Sequence, residues 1–142
     1  MKLTSRLRAR FGRRPARRPP PGDTIVIAYE PRRDGDADPG EVVWGWVPYE
    51  DDPSQGKDRP IVVVGRWGND LAGVPLTSKP RPGDPDRVPV GTGGWDPERR
   101  TSYACLDRVM RLQPRSVRRE GSALDRETFR RLVDALTARP RA

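Results

Sequence analysis

Four β-branched residues follow one another from Ile61 to Val64, and this run constrains the fold of the 142-residue chain more than any other feature. Pro60 precedes the run and Gly65 follows it, so the apolar segment is too short for a helix. We therefore expect a strand over 59–65.

Strand patterns also occur over 24–29, 41–47, 71–77 and 101–112, and the segments between them are rich in Pro, Gly and Asp. The segment 24–29 fits a short strand or an extended arm. The segment 41–47 is apolar on both faces, as expected of a strand in a small closed or nearly closed barrel.

Near the C-terminus the apolar spacing becomes that of one helical face. The residues on this face are Phe129, Leu132, Val133 and Leu136. Asp125 is suited to cap the helix, with Leu124 and Phe129 forming a hydrophobic staple. Several strands followed by one helix predict a mainly β fold, a small β-barrel with a packed C-terminal helix.

The net charge of +8 belongs to the beginning of the chain. Residues 1–22 contain eight basic residues and no acidic one, whereas the other 120 residues carry 20 of each sign. The segment 1–22 has few apolar side chains, so we expect a disordered basic tail. Such a tail either binds RNA phosphates or is a solvated extension without function. We divide the rest into an extended arm or loop over 23–38 and the barrel with its helix over 39–138.

The composition argues against several kinds of site. The sequence has no histidine, which removes the usual acid–base pair of many nucleases. Cys105 is the one cysteine, so an internal disulfide and a Cys/His zinc site are excluded. We expect no metal and no cofactor. No apolar run reaches the roughly 18 residues of a membrane span and no signal peptide is evident, so we expect a cytoplasmic protein without membrane contacts.

Four blocks occur in the order in which the MazF/PemK toxins carry them: 39–44, 54–64, 76–79 and 106–109. The first resembles the family's Pro-Gly-Asp-hydrophobic-hydrophobic-Trp strand, with Glu41 in place of the Asp. The second resembles its Gly-x-x-Arg-Pro strand through Arg59 and Pro60. The third resembles the strand-end Thr-Ser segment, and the fourth resembles the late Leu-Asp-x-hydrophobic strand. The resemblance covers 39–138.

This resemblance implies a toxin of a type II toxin–antitoxin pair with an SH3-like barrel, the PemK/CcdB-like fold. It implies a homodimer that cleaves single-stranded RNA without metal and leaves 2′,3′-cyclic phosphate and 5′-hydroxyl ends. A cognate antitoxin protein is the implied partner. The family's catalytic Arg and Thr fall on Arg59 and Thr77. Further RNA contacts are expected from Gln55, Lys57, Ser78, Lys79 and Trp46.

The residue types suit this chemistry. A guanidinium matches two phosphate oxygens, and a hydroxyl is able to donate to a nonbridging oxygen. An arginine is a poor general base because its pKa lies above about 12. The carboxylates of Glu41, Glu50 and Asp51 remain alternatives for the proton acceptor.

Each functional assignment has a structural alternative. Arg59 is also suited to be a surface charge at a strand start, and Trp46 to be a core residue. Two other functions stay open. One is a catalytically inactive barrel that binds RNA or an antitoxin. The other is a gyrase-poisoning toxin like CcdB, which the C-terminal residues 137–142 support little.

Overall fold

The computed structural model describes residues 2–4, 24–31 and 37–139, and for 2–4 it describes the backbone alone. These residues form nine strands, a 3₁₀ turn over Pro114–Ser116 and one α-helix. The elements are β1 (Lys2–Thr4), β2 (Thr24–Ile27), β3 (Glu41–Pro48), β4 (Gly56–Trp67), β5 (Asp70–Thr77), β6 (Arg87–Gly91), β7 (Ser102–Cys105), β8 (Met110–Leu112), β9 (Arg118–Ala123) and α1 (Arg126–Ala138). The predicted fold class, mainly β with a C-terminal helix, is confirmed.

The two long strands β4 and β5 form the antiparallel centre of the sheet. On its outer edge β4 pairs with β3 over its first half and with β2 near its end. On the other edge β5 pairs first with β8 and then with β7, which in turn pairs with β6. The described strands do not pair into a complete ring, so the sheet is open rather than a closed barrel.

The strand β4 is covered on both faces. Val62 and Val64 belong to the larger apolar cluster, which also contains Phe129 of α1. Ile61 and Val63 belong to a second cluster on the other face. All four side chains of the run are fully buried, and burying each contributes about 1.5–3 kcal/mol. The two clusters make β4 a stiff support for the residues at its ends.

The helix begins as predicted. Asp125 is the N-cap, and its carboxylate accepts a hydrogen bond from the Thr128 N–H at 2.7 Å. Leu124 and Phe129 are both buried, as expected of a hydrophobic staple. No helix in the described part of the chain is long and apolar enough to cross a membrane.

The strand β9 is absent from the sequence prediction because it lacks an apolar alternation. It pairs with β3 through the backbone, none of its side chains is fully buried, and two of its arginines form ion pairs. Arg119 contacts the buried Glu41 carboxylate at 2.7 Å, and Arg118 pairs with Asp58.

The N-terminal segment also differs from its prediction. The sequence predicts disorder over 1–22, whereas the backbone of β1 pairs in parallel with β2. The remaining residues of 1–22 lie outside the described residues, so for them disorder stays a prediction. The strand β2 lies within 23–38, the predicted arm or loop, and 32–36 are again outside the described residues.

Candidate functional site

Arg59 lies near the beginning of β4, and Thr77 is the last residue of β5. Because the two strands are antiparallel, both residues lie at the same end of the pair. Ile61 pairs with Pro75 across β4 and β5. Because every second side chain of a strand lies on the same face, Arg59 and Thr77 share the face of this pair. Both residues line a cavity of about 400 Å³, here called the large cavity, and both line a neighbouring small cavity of about 140 Å³. The structure thus brings together the two residues that the resemblance singles out.

The Arg59 guanidinium is half-buried and free to receive an anion. Arg59 is the fourth residue of β4, and its backbone is paired with Gly45 on β3. No ion pair among the described residues engages it. A cation without a carboxylate partner favours binding of a phosphate.

Thr77 is 8% exposed and presents its hydroxyl at the same cleft. The Lys79 backbone N–H donates to its Oγ1 at 3.2 Å. A hydroxyl that accepts one hydrogen bond still has its own proton to donate. Thr77 is therefore able to donate a hydrogen bond to an anion held by Arg59.

Cations outnumber carboxylates in the lining of the large cavity, and the sequence analysis did not find several of them. Its basic lining residues besides Arg59 are Lys79, Arg81, Arg87 and Arg108. Arg108 is fixed by a hydrogen bond to the Pro48 carbonyl at 2.8 Å and by an ion pair with Glu50 at 3.5 Å. This ion pair neutralises one of the cations, and Asp107 adds a second carboxylate to the lining.

Cys105 also lines the large cavity. Its thiol is buried and accepts a hydrogen bond from Arg87 Nη1 at 3.1 Å. Burial raises the pKa of this thiol, although Arg87 opposes the shift. The buried Cys105 side chain thus forms part of the wall of the site.

The small cavity combines cations with indole rings. Trp44 and Trp95 both line it, and Trp95 donates its indole N–H to Ser102 at 2.9 Å. The indole nitrogen of Trp44 is buried and has no hydrogen-bond partner among the described residues. Arg100 contributes a cation, held by Asp96 at 2.9 Å. Trp95 is almost fully buried, so the half-buried Trp44 supplies the accessible aromatic surface on this side of the site, and the basic side chains supply the donors.

Lys57 experiences the combined field of these cations. Its pKa is lowered chiefly by Arg59, then by partial burial, by Lys79 and by Arg100. Lys57, Ser78 and Lys79 all line the small cavity, so three of the predicted RNA contacts lie at the site.

Gln55 and Trp46 line neither cavity. Gln55 is exposed in the turn between β3 and β4, where its carbonyl accepts the Tyr49 N–H at 2.9 Å. Trp46 is 57% exposed, so it is not the core residue that the structural alternative proposes. It shares a face of β3 with Trp44, and contact with RNA stays a prediction for both Gln55 and Trp46.

The three carboxylates considered as proton acceptors have different positions. Glu41 is buried and bonded to Arg119 and to the Asp38 N–H, which assigns it a structural role. Asp51 is exposed and lines neither cavity, whereas Glu50 lines the large one. Within the described ranges, no group of three Cys, Asp or Glu side chains is placed to hold a metal ion.

Comparison with known proteins agrees with this architecture. Residues 38–138 match the family described as PemK-like, MazF-like toxin of type II toxin-antitoxin system. No curated protein sequence matches the chain. The crystal structure of MazE-MazF from Deinococcus radiodurans is similar with a TM-score of 0.54 and 19% identity, over 74% of this chain and 96% of that one. The chain belongs to the PemK-like, MazF-like toxins of type II toxin–antitoxin systems.

Proposed function

We propose that this protein is a metal-independent endoribonuclease that cleaves single-stranded RNA to 2′,3′-cyclic phosphate and 5′-hydroxyl ends. One observation carries the proposal. The unpaired guanidinium of Arg59 and the hydroxyl of Thr77 line the same cationic cleft. A fixed cation and a fixed donor suit the stabilisation of a phosphorane, whose negative charge increases during cleavage.

In the proposed reaction the 2′-oxygen attacks the adjacent phosphorus and the bond from phosphorus to the 5′-oxygen breaks. The Arg59 fork binds nonbridging oxygens, and Thr77 donates a hydrogen bond to one of them. The 2′-hydroxyl gives up its proton to a base, and the leaving 5′-oxygen takes up a proton from water. The balance requires no oxidant, reductant or further group.

Glu50 is the proposed proton acceptor. Of the three carboxylates that the sequence leaves open, it is the one that lines the large cavity. The Arg108 guanidinium lies 3.5 Å from it, which orients the carboxylate, while most of its surface is still in contact with solvent. General-base catalysis by a positioned carboxylate typically contributes a factor of about 10²–10⁴ to the rate.

The proposed partners are single-stranded RNA, a cognate antitoxin and a second copy of this chain. The antitoxin and the homodimer are supported by family membership and by the likeness to the MazE-MazF structure. A cleft in which cations outnumber carboxylates also suits an acidic protein segment that blocks access of RNA.

The decisive experiment incubates purified protein, freed of any antitoxin, with long single-stranded RNA in EDTA. We expect discrete fragments whose ends are identified by mass spectrometry, and no fragments from Arg59→Ala. Arg115→Ala is the matched control, because Arg115 is exposed and lines neither cavity. Intact RNA across varied sequences would refute the proposal. Tight binding without cutting would instead establish the inactive RNA-binding barrel.

The gyrase-poisoning alternative depends on the end of the chain. Residues 140–142 lie outside the described residues, and no feature of the described ones favours it.

A further inference from the structure

The Arg59–Thr77 pair lies at the junction of two cavities. Both residues line the large cavity of about 400 Å³ and the small cavity of about 140 Å³, and of the other described residues only Lys79 is common to the two linings. The remaining lining residues belong to a single cavity, such as Cys105 in the large one and Trp44 in the small one. A phosphodiester held at the pair therefore has a separate cavity on each side.

Two cavities allow both products of cleavage to stay bound at the same time. In the proposed reaction one product ends in the 2′,3′-cyclic phosphate and the other begins with the 5′-hydroxyl. When each product keeps its end nucleotide in one cavity, the two reactive ends remain side by side at the pair. Groups held in this way react as if present at effective concentrations of up to about 10⁵–10⁸ M. Retention of both products therefore favours reaction between their ends.

Hydrolysis of the cyclic phosphate has no comparable help from the described residues. The attacking water needs a positioned base, and the sequence contains no histidine. Four carboxylates line the cavities, and Asp58 and Asp96 are held by ion pairs with arginines. Glu50 is the proposed acceptor for the 2′-hydroxyl proton. Asp107 is exposed, and no hydrogen bond or ion pair within the described ranges orients its side chain. A 5′-hydroxyl bound in a cavity therefore has the advantage over water.

We propose that the cleft also joins RNA strands, by transferring the cyclic phosphate end of one strand to the 5′-hydroxyl of another. This inference rests on the proposed function, because the transfer passes through the same phosphorane in the reverse direction. The acceptor 5′-oxygen attacks phosphorus, the bond from phosphorus to the 2′-oxygen breaks, and a 3′–5′ phosphodiester forms. The 2′-oxygen takes up the proton that the Glu50 carboxyl group carries after cleavage, and the acceptor hydroxyl gives up its proton to water.

The chemistry defines the two substrates of the transfer. The donor must carry a 2′,3′-cyclic phosphate, and the acceptor must carry a free 5′-hydroxyl. A strand with a 5′-phosphate is excluded as an acceptor, because its 5′-oxygen is already esterified. The acceptor need not be the strand that has just been released, since any strand whose first nucleotide fits the same cavity occupies the same position. The protein would thus exchange fragments between RNAs that share a cleavage sequence.

A strand-exchange experiment tests the transfer during cleavage. RNA labelled at its 5′ end and carrying the mapped cleavage site is cleaved in EDTA with an excess of a longer, unlabelled 5′-hydroxyl acceptor of the same downstream sequence. We expect a labelled strand of greater length than the substrate, in proportion to the acceptor concentration. A 5′-phosphorylated acceptor is the control and should give none. Digestion by a nuclease specific for 3′–5′ linkages, followed by mass spectrometry, identifies the new bond. A 2′–5′ linkage would overturn the inference.

A direct joining experiment separates this inference from the proposed function. A synthetic donor that ends in a 2′,3′-cyclic phosphate replaces the RNA to be cleaved, at millimolar acceptor. We expect joined strands with the unmodified protein and with Arg115→Ala, and none with Arg59→Ala. Thr77→Val should slow joining by the same factor of about 10²–10³ as cleavage, because the phosphorane is shared. Cleavage of intact RNA without any joined or exchanged strand would overturn the inference and leave the proposed function standing. Intact RNA together with no joining would refute both.

Discussion

Replacing Thr77 by valine separates the chemical role of the hydroxyl from its structural role. Valine has nearly the same shape, so the buried volume at this position is kept. The Lys79 N–H loses its acceptor at 3.2 Å, which lowers the free energy of unfolding by about 1 kcal/mol. For a chain of this size the melting temperature then falls by about 4 °C. If the hydroxyl donates to the phosphorane, its loss costs a further ~2.7–4 kcal/mol in the transition state, or about 10²–10³ in kcat.

The assay is single-turnover cleavage of an end-labelled RNA at saturating protein. Thr77→Ser is the control, because it keeps the hydroxyl and should retain most of the activity. Differential scanning calorimetry measures the melting temperature of each variant, which separates a loss of stability from a loss of activity. The Thr77→Val variant could melt as expected and still cleave RNA at a rate within threefold of that of the unmodified protein. That result would refute the assignment of Thr77 as a hydrogen-bond donor.

Three further predictions concern other residues. Arg59→Lys keeps the charge but loses the two-pronged fork, so we expect kcat in the same assay to fall by about 10² with the RNA still bound. Glu50→Gln removes the proposed proton acceptor and should lower kcat in the same assay by about 10²–10⁴. Asp125→Ala removes the helix cap and should lower the free energy of unfolding by about 1 kcal/mol at pH 7, measured in urea. Hydrogen bonding by the Thr128 N–H lowers the pKa of Asp125 in the folded protein, so this stabilisation is present above the unfolded pKa. The difference between wild type and variant should therefore vanish as the pH falls through the folded pKa.

The fold is predictable wherever a local pattern decides the structure. The β-branched run of β4 and the capped stripe of α1 carry their own signals, and both form as the sequence predicts. Strand β9 does not, because it contains Arg, Glu, Gly and Ser and owes its position to β3 and to the Arg119–Glu41 ion pair. Closure of the sheet is likewise a property of strand pairing, which no single segment encodes.

The site is less predictable than the fold. Arg59 and Thr77 are found through a family motif, whereas Arg81, Arg87 and Arg108 reach the large cavity through loops and through pairing of β6 with β7. Their sequence signal is weak because 25 of the 28 basic residues are arginines and most serve elsewhere. Only the folded structure, with its loops and strand pairing, shows which arginines belong to the cleft.

The distribution of ion pairs explains how a domain without excess charge presents a cationic cleft. Many arginines are matched with carboxylates. Away from the cleft the pairs are Arg66 with Asp38, Arg111 with Asp70, Arg119 with Glu41, Arg130 with Glu127 and Arg139 with Asp86, and in its lining they are Arg81 with Asp84, Arg100 with Asp96 and Arg108 with Glu50. Lys57, Arg59 and Lys79 have no such match among the described residues. If the protein binds RNA as proposed, residues 23–142 attract it weakly from a distance, because they are neutral as a whole and salt screens exposed charges beyond about 10 Å. The affinity of this part of the chain would then come from the few phosphates that enter the cleft, which predicts a shallow salt dependence for its own contribution to binding.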